Sequence, residues 1–249
     1  MNSNAILSDI KKRKFSPVYL LHGEESYYID LISDALEATV LTDAQKGFDQ
    51  SVFYGKDSSL LNIVSAAKRY PMMSEYQLIV VKEAQELKWK TEEEFLLKYL
   101  EQLTPTTILV IAYKYGKFDK RKKVYKTLDK VGTVVESAKL YDNKVGEWIV
   151  DQFRQAQRTI HPQAAALMAD YLGTDLAKVA NEVEKLILNV PAAQEIQAIH
   201  IEQNIGISKD FNVFELQSAL ANRNATKAIQ IVDYFAANPK SNPMPLVIG

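Results

Sequence analysis

The chain of 249 residues has no cysteine and only three histidines. The absence of cysteine excludes disulfide bonds, thiolate zinc sites and cysteine catalysis, and it is typical of a reducing compartment. The histidines, His22, His161 and His200, stand in three different segments, and none lies four residues from another. Because metal-binding histidines usually pair at such spacing, we expect no metal site, and no sequence motif indicates a cofactor.

The chain also lacks a dominant charge and a long apolar run. Its 30 Lys and Arg residues nearly balance 31 Asp and Glu residues, which gives a formal net charge of -1. A role in binding nucleic acid or membrane must therefore rest on a local patch. The N-terminus has no apolar signal segment, and no run is long enough to span a bilayer. We expect a soluble protein of the cytoplasm with no membrane partner.

The first half of the chain alternates between β-rich runs and helical periodicity. Threonine and acidic residues favour a helix start, so Thr91 and the three glutamates after it predict a helix that begins there. Strand and helix in alternation predict a parallel sheet wrapped by helices. The predicted strands are residues 17–21, 48–54, 76–81, 106–112 and 132–137.

After residue 141 the β signal disappears and helical patterns continue to about residue 237. We predict an α/β domain over residues 1–140, a helical domain over 141–207 and a third helical region over 208–249. The last residues, NPMPLVIG, begin an apolar segment with nothing after it to bury that segment. We therefore expect a truncated chain whose third region is incomplete.

The stretch VYLLHGEESYYID, residues 18–30, has the strand, glycine turn and helix start on which nucleotide phosphates bind. We call it the phosphate cradle. A P-loop needs a second glycine and a lysine, but Glu24 and Glu25 follow Gly23. Lys82 follows the third predicted strand, where a magnesium-binding aspartate would stand. The sequence predicts an inert cradle without catalytic residues, in which the two glutamates complement the helix dipole.

A candidate interaction site lies between the second predicted helix of the sheet domain and the third strand. A helix from about residue 58 ends near Arg69, Pro71 prevents its continuation, and Met72 and Met73 follow. Methionine is unbranched and polarizable, which suits an adaptable anchor. The residues alone leave two interpretations open, an exposed anchor for a partner or a cover for the sheet edge.

The segment Lys114–Lys130, here called the basic segment, has eight basic and two acidic residues, a local charge of +6. Such a segment can bind nucleic-acid phosphates without sequence preference, or it can be a solvated helix face. The candidate DNA-binding residues are Lys117, Lys120, Arg121, Lys122 and Lys123.

Several stretches together resemble one family. PVYLLHGEESYYID and FDKRKKVYKTL resemble the first domain of the delta subunit of the bacterial DNA polymerase III clamp loader, a member of the AAA+ clan. GEWIV and AALMADYLGTDLAKVANEVEKLIL resemble its second domain. FNVFELQSALANRNATKAIQIVDYF resembles the entry to its third domain. The resemblance covers almost the whole chain, and the order of the stretches is more specific than any one of them.

The resemblance implies a non-catalytic subunit of the polymerase holoenzyme. It would bind the ring-shaped sliding clamp, or beta subunit, and open it for loading onto primed DNA during replication. It implies an AAA+-like domain over 1–140, a lid domain over 141–207 and the start of a collar domain over 208–249. Sister subunits would hydrolyse ATP, and the collar would join a hetero-pentamer. By resemblance, Met72 and Met73 match the clamp-binding pair, flanked by Tyr70, Tyr76 and the rigid Pro71.

The sequence departs from the family in one respect, and two other functions remain open. The family often has leucine and phenylalanine where this chain has Met72 and Met73. An AAA+-like adaptor for another assembly would equally explain an inert cradle. A divergent active ATPase would have to bind nucleotide without the P-loop lysine.

Overall fold

The computed structural model describes residues 3–205 and 213–237. The chain divides into two compact units, Met1–Lys139 and Leu140–Gly249. The boundary predicted between residues 207 and 208 and the apolar end of the chain both lie outside the described residues.

Among the described residues, five strands form one parallel sheet in the order β2-β3-β4-β1-β5. This confirms the predicted α/β architecture. The sheet's central strands are buried on both faces, which explains their nearly continuous runs of valine, leucine and isoleucine. The strands are β1 (Val18–Gly23), β2 (Gln50–Tyr54), β3 (Gln77–Lys82), β4 (Thr107–Lys114) and β5 (Thr133–Ser137).

Helices cover both faces of the sheet, because successive side chains of a strand point to opposite faces. Val18 and Leu20 of β1 pack with α4, α5 and α6, whereas Tyr19 and Leu21 pack with α1 and α2. The helices of this unit are α1 (Ser3–Lys11), α2 (Tyr27–Thr39), α3 (Asp43–Asp49), α4 (Leu60–Ala67), α5 (Trp89–Glu101) and α6 (Lys123–Val131).

Several predicted boundaries in this unit differ from the structure by one or two residues, and two of them have a visible cause. The second strand begins at Gln50 rather than at residue 48, because Phe48 and Asp49 complete α3. Helix α5 begins at Trp89, two residues before Thr91. The Trp89 indole N–H donates to the Ala84 carbonyl over 2.6 Å, which fixes the chain at this earlier start. Tertiary packing thus overrides the local capping signal.

The second unit is helical throughout its described part, as the loss of the β signal predicts. The Asp175 carboxylate accepts the N–H of Lys178 and caps α9. The Arg158 guanidinium donates to the carbonyls of Ile187, Val190 and Pro191 and so binds the other end of α9. The helices are α7 (Asp142–Gln155), α8 (Pro162–Leu172), α9 (Leu176–Asn189), α10 (Ala198–Ile205), α11 (Val213–Ala221) and α12 (Ala225–Ala237).

Candidate functional site

The residues between α4 and β3, 68–76, form a turn at the N-terminal edge of the sheet, here called the methionine turn. Its apolar side chains point into solvent, with exposed fractions of 78% for Met72, 63% for Met73 and 72% for Tyr70. Pro71 between them is half-buried. Met72 and Met73 therefore do not cover the sheet edge, and that interpretation is wrong.

The backbone of this exposed turn is held by a buried carboxylate. Asp49, the last residue of α3, is only 4% exposed. Its Oδ1 accepts the N–H of Met72 over 2.5 Å, and its Oδ2 accepts the N–H of Met73 over 2.9 Å. Both amides therefore point inward to one group while both side chains point outward.

Hydrogen bonding keeps this carboxylate ionised. Burial by itself raises the pKa of Asp49, but hydrogen bonds from the Met72 amide, from Ser74 and from the Met73 amide together outweigh it. The pKa of Asp49 therefore lies below its ordinary value of 3.8. At neutral pH the carboxylate has only acceptor oxygens to offer, which is what two adjacent amides require.

Both ends of the methionine turn are also attached to the sheet. The Gln77 side-chain amide donates to the Arg69 carbonyl and lies 3.2 Å from the Ala67 carbonyl, so it ties β3 to the end of α4. At the other end, the Tyr76 ring meets Phe15 edge-to-face with 5.8 Å between centroids. The turn is thus fixed at its start, its middle and its end.

The sequence reasoning missed Asp49 and Gln77. Asp49 lay inside a predicted strand, and Gln77 reads as one polar residue beside an apolar run. The available signal was weak: a carboxylate next to an apolar run usually needs a partner when it is buried. Nothing in the sequence says that the partner would be a backbone 23 residues away.

At the opposite edge of the sheet, the phosphate cradle is closed by the chain itself. A Cβ added to Gly23, whose φ is +148°, would lie 1.9 Å from the Ser137 carbonyl oxygen. The glycine therefore serves a close approach between β1 and β5. The Glu25 carboxylate accepts the N–H of Tyr27 over 2.9 Å, so it occupies an amide that a P-loop would offer to phosphate. Glu25 lies just before α2, which begins at Tyr27, and not within the first turn of the helix.

The position of the missing magnesium ligand is likewise occupied by an ion pair. The Lys82 ammonium lies 3.0 Å from the Glu37 carboxylate, which raises the pKa of Lys82. The Lys114 ammonium, at the end of β4, lies 2.5 Å from the Asp30 carboxylate. Each of these strand ends thus has a cation neutralised by α2.

Comparison with known proteins shows which family this chain resembles. The family model described as "DNA polymerase III, delta subunit" matches residues 19–138, which hold both the phosphate cradle and the methionine turn. A curated relative from Bacillus subtilis, named "DNA polymerase III subunit delta", is 28% identical over 250 aligned residues, 98% of this chain and 71% of the relative. This chain is thus similar to DNA polymerase III delta subunits, over residues 19–138 in the family model and over nearly its whole length in the Bacillus relative.

A solved structure and a second relative show the same similarity. A solved structure titled "Bacillus subtilis DNA clamp loader delta protein" matches 95% of this chain and 72% of its own, with 26% identity and a TM-score of 0.75. A relative from Aquifex aeolicus, named "Probable DNA polymerase III subunit delta", is 22% identical over 87% of this chain. This chain spans 63% of the Aquifex relative's length.

The charge of the basic segment is largely neutralised by ion pairs. Four of the five candidate DNA-binding residues form ion pairs, and only Lys123 has none among the described residues. With Lys114 included, the eight basic residues face six acidic ones, so the local charge falls from +6 to +2. The pairs of the four candidates are Lys117–Glu24, Lys120–Glu136, Arg121–Asp119 and Lys122–Glu93.

The ion pairs also fix the protonation of their carboxylates. The Arg121 guanidinium lowers the pKa of Asp119 to about 2, and the Lys120 ammonium lowers the pKa of Glu136. All these groups lie at the surface, where such pairs contribute little to stability. Of the aromatic residues nearby, Phe118 is buried against Trp89 and Tyr113 and so is not free to stack on a base.

Within residues 3–205 and 213–237, no group of three or more metal-binding side chains lies together. His22 is buried at the end of β1, and its Nδ1 accepts the N–H of Phe118 over 3.2 Å. Burial lowers the pKa of His22 below its ordinary value of 6.5. None of the described helices combines the length and apolar character that a membrane span requires.

Proposed function

We propose that this chain acts as the ring-opening subunit of a clamp loader. It binds the sliding clamp through Met72 and Met73 and holds the ring open for loading onto primed DNA. It does so in the cytoplasm, in a hetero-pentamer whose other subunits hydrolyse ATP. The observation that carries this proposal is the exposed methionine pair on a turn with a fixed backbone, in a chain similar to delta subunits.

The chemistry of the methionine turn supports an anchor function. Binding energy at protein interfaces is concentrated in a few residues that fill pockets of the partner. Two adjacent thioether side chains can follow the contour of an apolar pocket. Because the backbone is already fixed, little ordering entropy remains to oppose binding.

The phosphate cradle supports a subunit without ATPase activity of its own. The Glu25 carboxylate takes an amide that phosphate would need, and a lysine stands at the magnesium position. A triphosphate would also meet the Glu24 carboxylate, and like charges at close range repel one another. This arrangement favours a non-hydrolysing subunit over a divergent ATPase.

The test is binding to the sliding clamp of the same organism, measured by surface plasmon resonance with the clamp immobilised. We expect the variant Met72→Ala/Met73→Ala to bind about 100-fold or more weakly, because two central anchor residues are truncated. Its free energy of unfolding should match that of the wild type, because both side chains are exposed. Matched controls are Tyr115→Ala and Leu188→Ala, which remove exposed apolar side chains elsewhere.

The outcomes separate the candidate functions. Equal binding by wild type and double variant would leave the chain a clamp-binding protein but move the anchor elsewhere. If the wild type does not bind the clamp at all, the adaptor function is favoured instead. ATP turnover by the isolated chain would contradict the non-hydrolysing part of the proposal.

A further inference from the structure

The methionine turn has an unusual division between backbone and side chains. Exposed turns usually have backbone amides that bond to water, and their side chains can adopt many conformations. Here the amides of Met72 and Met73 are both bonded to Asp49, while both side chains are more than half exposed. A buried carboxylate therefore holds the backbone of two residues whose side chains are mostly uncovered by their own unit.

We propose that Asp49 is a positioning residue for partner binding, which holds the methionine turn in its binding-competent conformation before the partner arrives. This rests on the proposed function, because the partner is the clamp that Met72 and Met73 would anchor. Asp49 itself does not touch the partner. Its effect is to lower the ordering cost that the turn would otherwise bear on binding.

The chemistry of the contact requires a carboxylate rather than an amide. Each of the two Asp49 oxygens accepts one N–H, so both acceptors are used at once. An asparagine has the same shape but only one acceptor oxygen, and its NH2 group would face an N–H donor. Asp49→Asn can therefore hold at most one of the two amides, and Asp49→Ala can hold neither.

The geometry around Asp49 supports a local function rather than a general structural one. Helix α3 is fixed at its other end, where the Gln45 side chain accepts the N–H of Thr42 over 3.0 Å. β2 begins at Gln50 and pairs with β3 independently of the Asp49 side chain. Loss of the carboxylate should therefore release the turn and leave the sheet intact.

The first test needs no partner. We expect the amides of Met72 and Met73 to be protected from hydrogen exchange in the wild type, measured residue by residue by NMR. In Asp49→Ala their exchange should accelerate about tenfold or more, because a hydrogen bond to a charged group is lost. In Asp49→Asn one amide should accelerate in this way. The β3 amides Leu78–Val81 should remain protected in both variants.

The second test is clamp binding. Asp49→Ala should weaken clamp binding about tenfold, because the turn must then be ordered during binding. In the background Met72→Ala/Met73→Ala the same change should have no further effect, since the anchor that it positions is gone. The control is Asp43→Ala, the same change on the same helix at an exposed carboxylate paired with Lys46.

The outcomes distinguish this inference from the proposed function. If the methionine double variant loses binding but Asp49→Ala binds as the wild type does, the positioning function is wrong and the anchor stands. If the two amides exchange freely in the wild type, the inference fails whatever binds the clamp. If Asp49→Ala releases the turn but the methionine variant binds normally, the anchor lies elsewhere on the chain and this inference falls, although clamp binding itself stands. Faster exchange throughout β3 in Asp49→Asn would show a general structural effect and would overturn the inference.

Discussion

The two edges of the sheet differ in which side chains they leave exposed and without a partner in the described part of the fold. At the C-terminal edge, where parallel α/β proteins bind ligands, charged groups are paired within the chain. Lys82 pairs with Glu37, Lys114 with Asp30, and the Glu25 carboxylate with a backbone amide. At the N-terminal edge, the Asp49 carboxylate pairs with the backbone and leaves two apolar side chains uncovered.

The comparison shows that an exposed side chain indicates a binding function when the backbone around it is fixed so that the side chain stays exposed. The ion pairs at the C-terminal edge neutralise charges that would otherwise need a ligand. Single exposed apolar residues are common on protein surfaces. A pair of them on a backbone fixed at three points is different, because the ordering cost of presenting them is met within the fold.

The largest expected effect concerns the closed cradle. Gly23→Ala should lower the free energy of unfolding by about 3 kcal/mol or more, because the new methyl group meets the Ser137 carbonyl in a backbone conformation that alanine rarely adopts. Urea denaturation measures this. The control is Gly47→Ala in α3, where no atom lies within 4 Å of the added carbon, and it should not destabilise. Equal stability of Gly23→Ala and wild type would mean that β1 and β5 do not approach so closely.

A smaller effect concerns pH. Because burial lowers the pKa of His22 below its ordinary 6.5, the unfolded state binds this proton more readily than the folded state. Stability from the neutral ring is therefore complete above pH 6.5 and is lost as pH falls from 6.5 through the folded pKa, by at most about 1.4 kcal/mol per pH unit.

The variant His22→Asn isolates this contribution. Asparagine can still accept the Phe118 N–H but does not titrate, so the slope of unfolding free energy against pH below 6.5 should decrease. Urea denaturation at a series of pH values compares the two slopes and is insensitive to the packing lost with the ring. The same slope in both proteins would mean that the pKa of His22 is not lowered in the fold.

The smallest effect concerns the basic segment, whose contact with DNA stays a prediction. Since Lys120 and Lys122 are paired with Glu136 and Glu93, their replacement by alanine should change DNA binding by an assembled loader less than threefold, roughly the contribution of exposed pairs. Lys123→Ala, which removes a cation without an ion-pair partner in the described chain, should have the larger effect. Fluorescence anisotropy at several salt concentrations measures both. A loss of tenfold or more for the paired lysines would show that DNA displaces their acidic partners.

Several features of this chain could be predicted from the sequence because they depend on local patterns. Runs such as LIVV and ILVIA predict buried parallel strands, which the structure confirms. The inert cradle that the missing P-loop lysine predicts stays a prediction. The sequence predicted that Met72 and Met73 lie in a turn, because the preceding helix ends near Arg69 and Pro71 prevents its continuation. The start of α5 at Trp89 was not predicted, because it depends on a hydrogen bond to Ala84 that no local signal encodes.

The sequence by itself determined the α/β architecture, the helical second half and the resemblance to delta subunits, because hydrophobic periodicity and the order of motifs can be seen in local stretches of the chain. Only the tertiary structure decided whether Met72 and Met73 are exposed and what holds them. It brought Asp49 to their amides across 23 residues and placed Ser137 against Gly23 across more than a hundred. Such contacts arise because a buried polar group must find a partner, and strand order rather than sequence distance decides which partner is within reach.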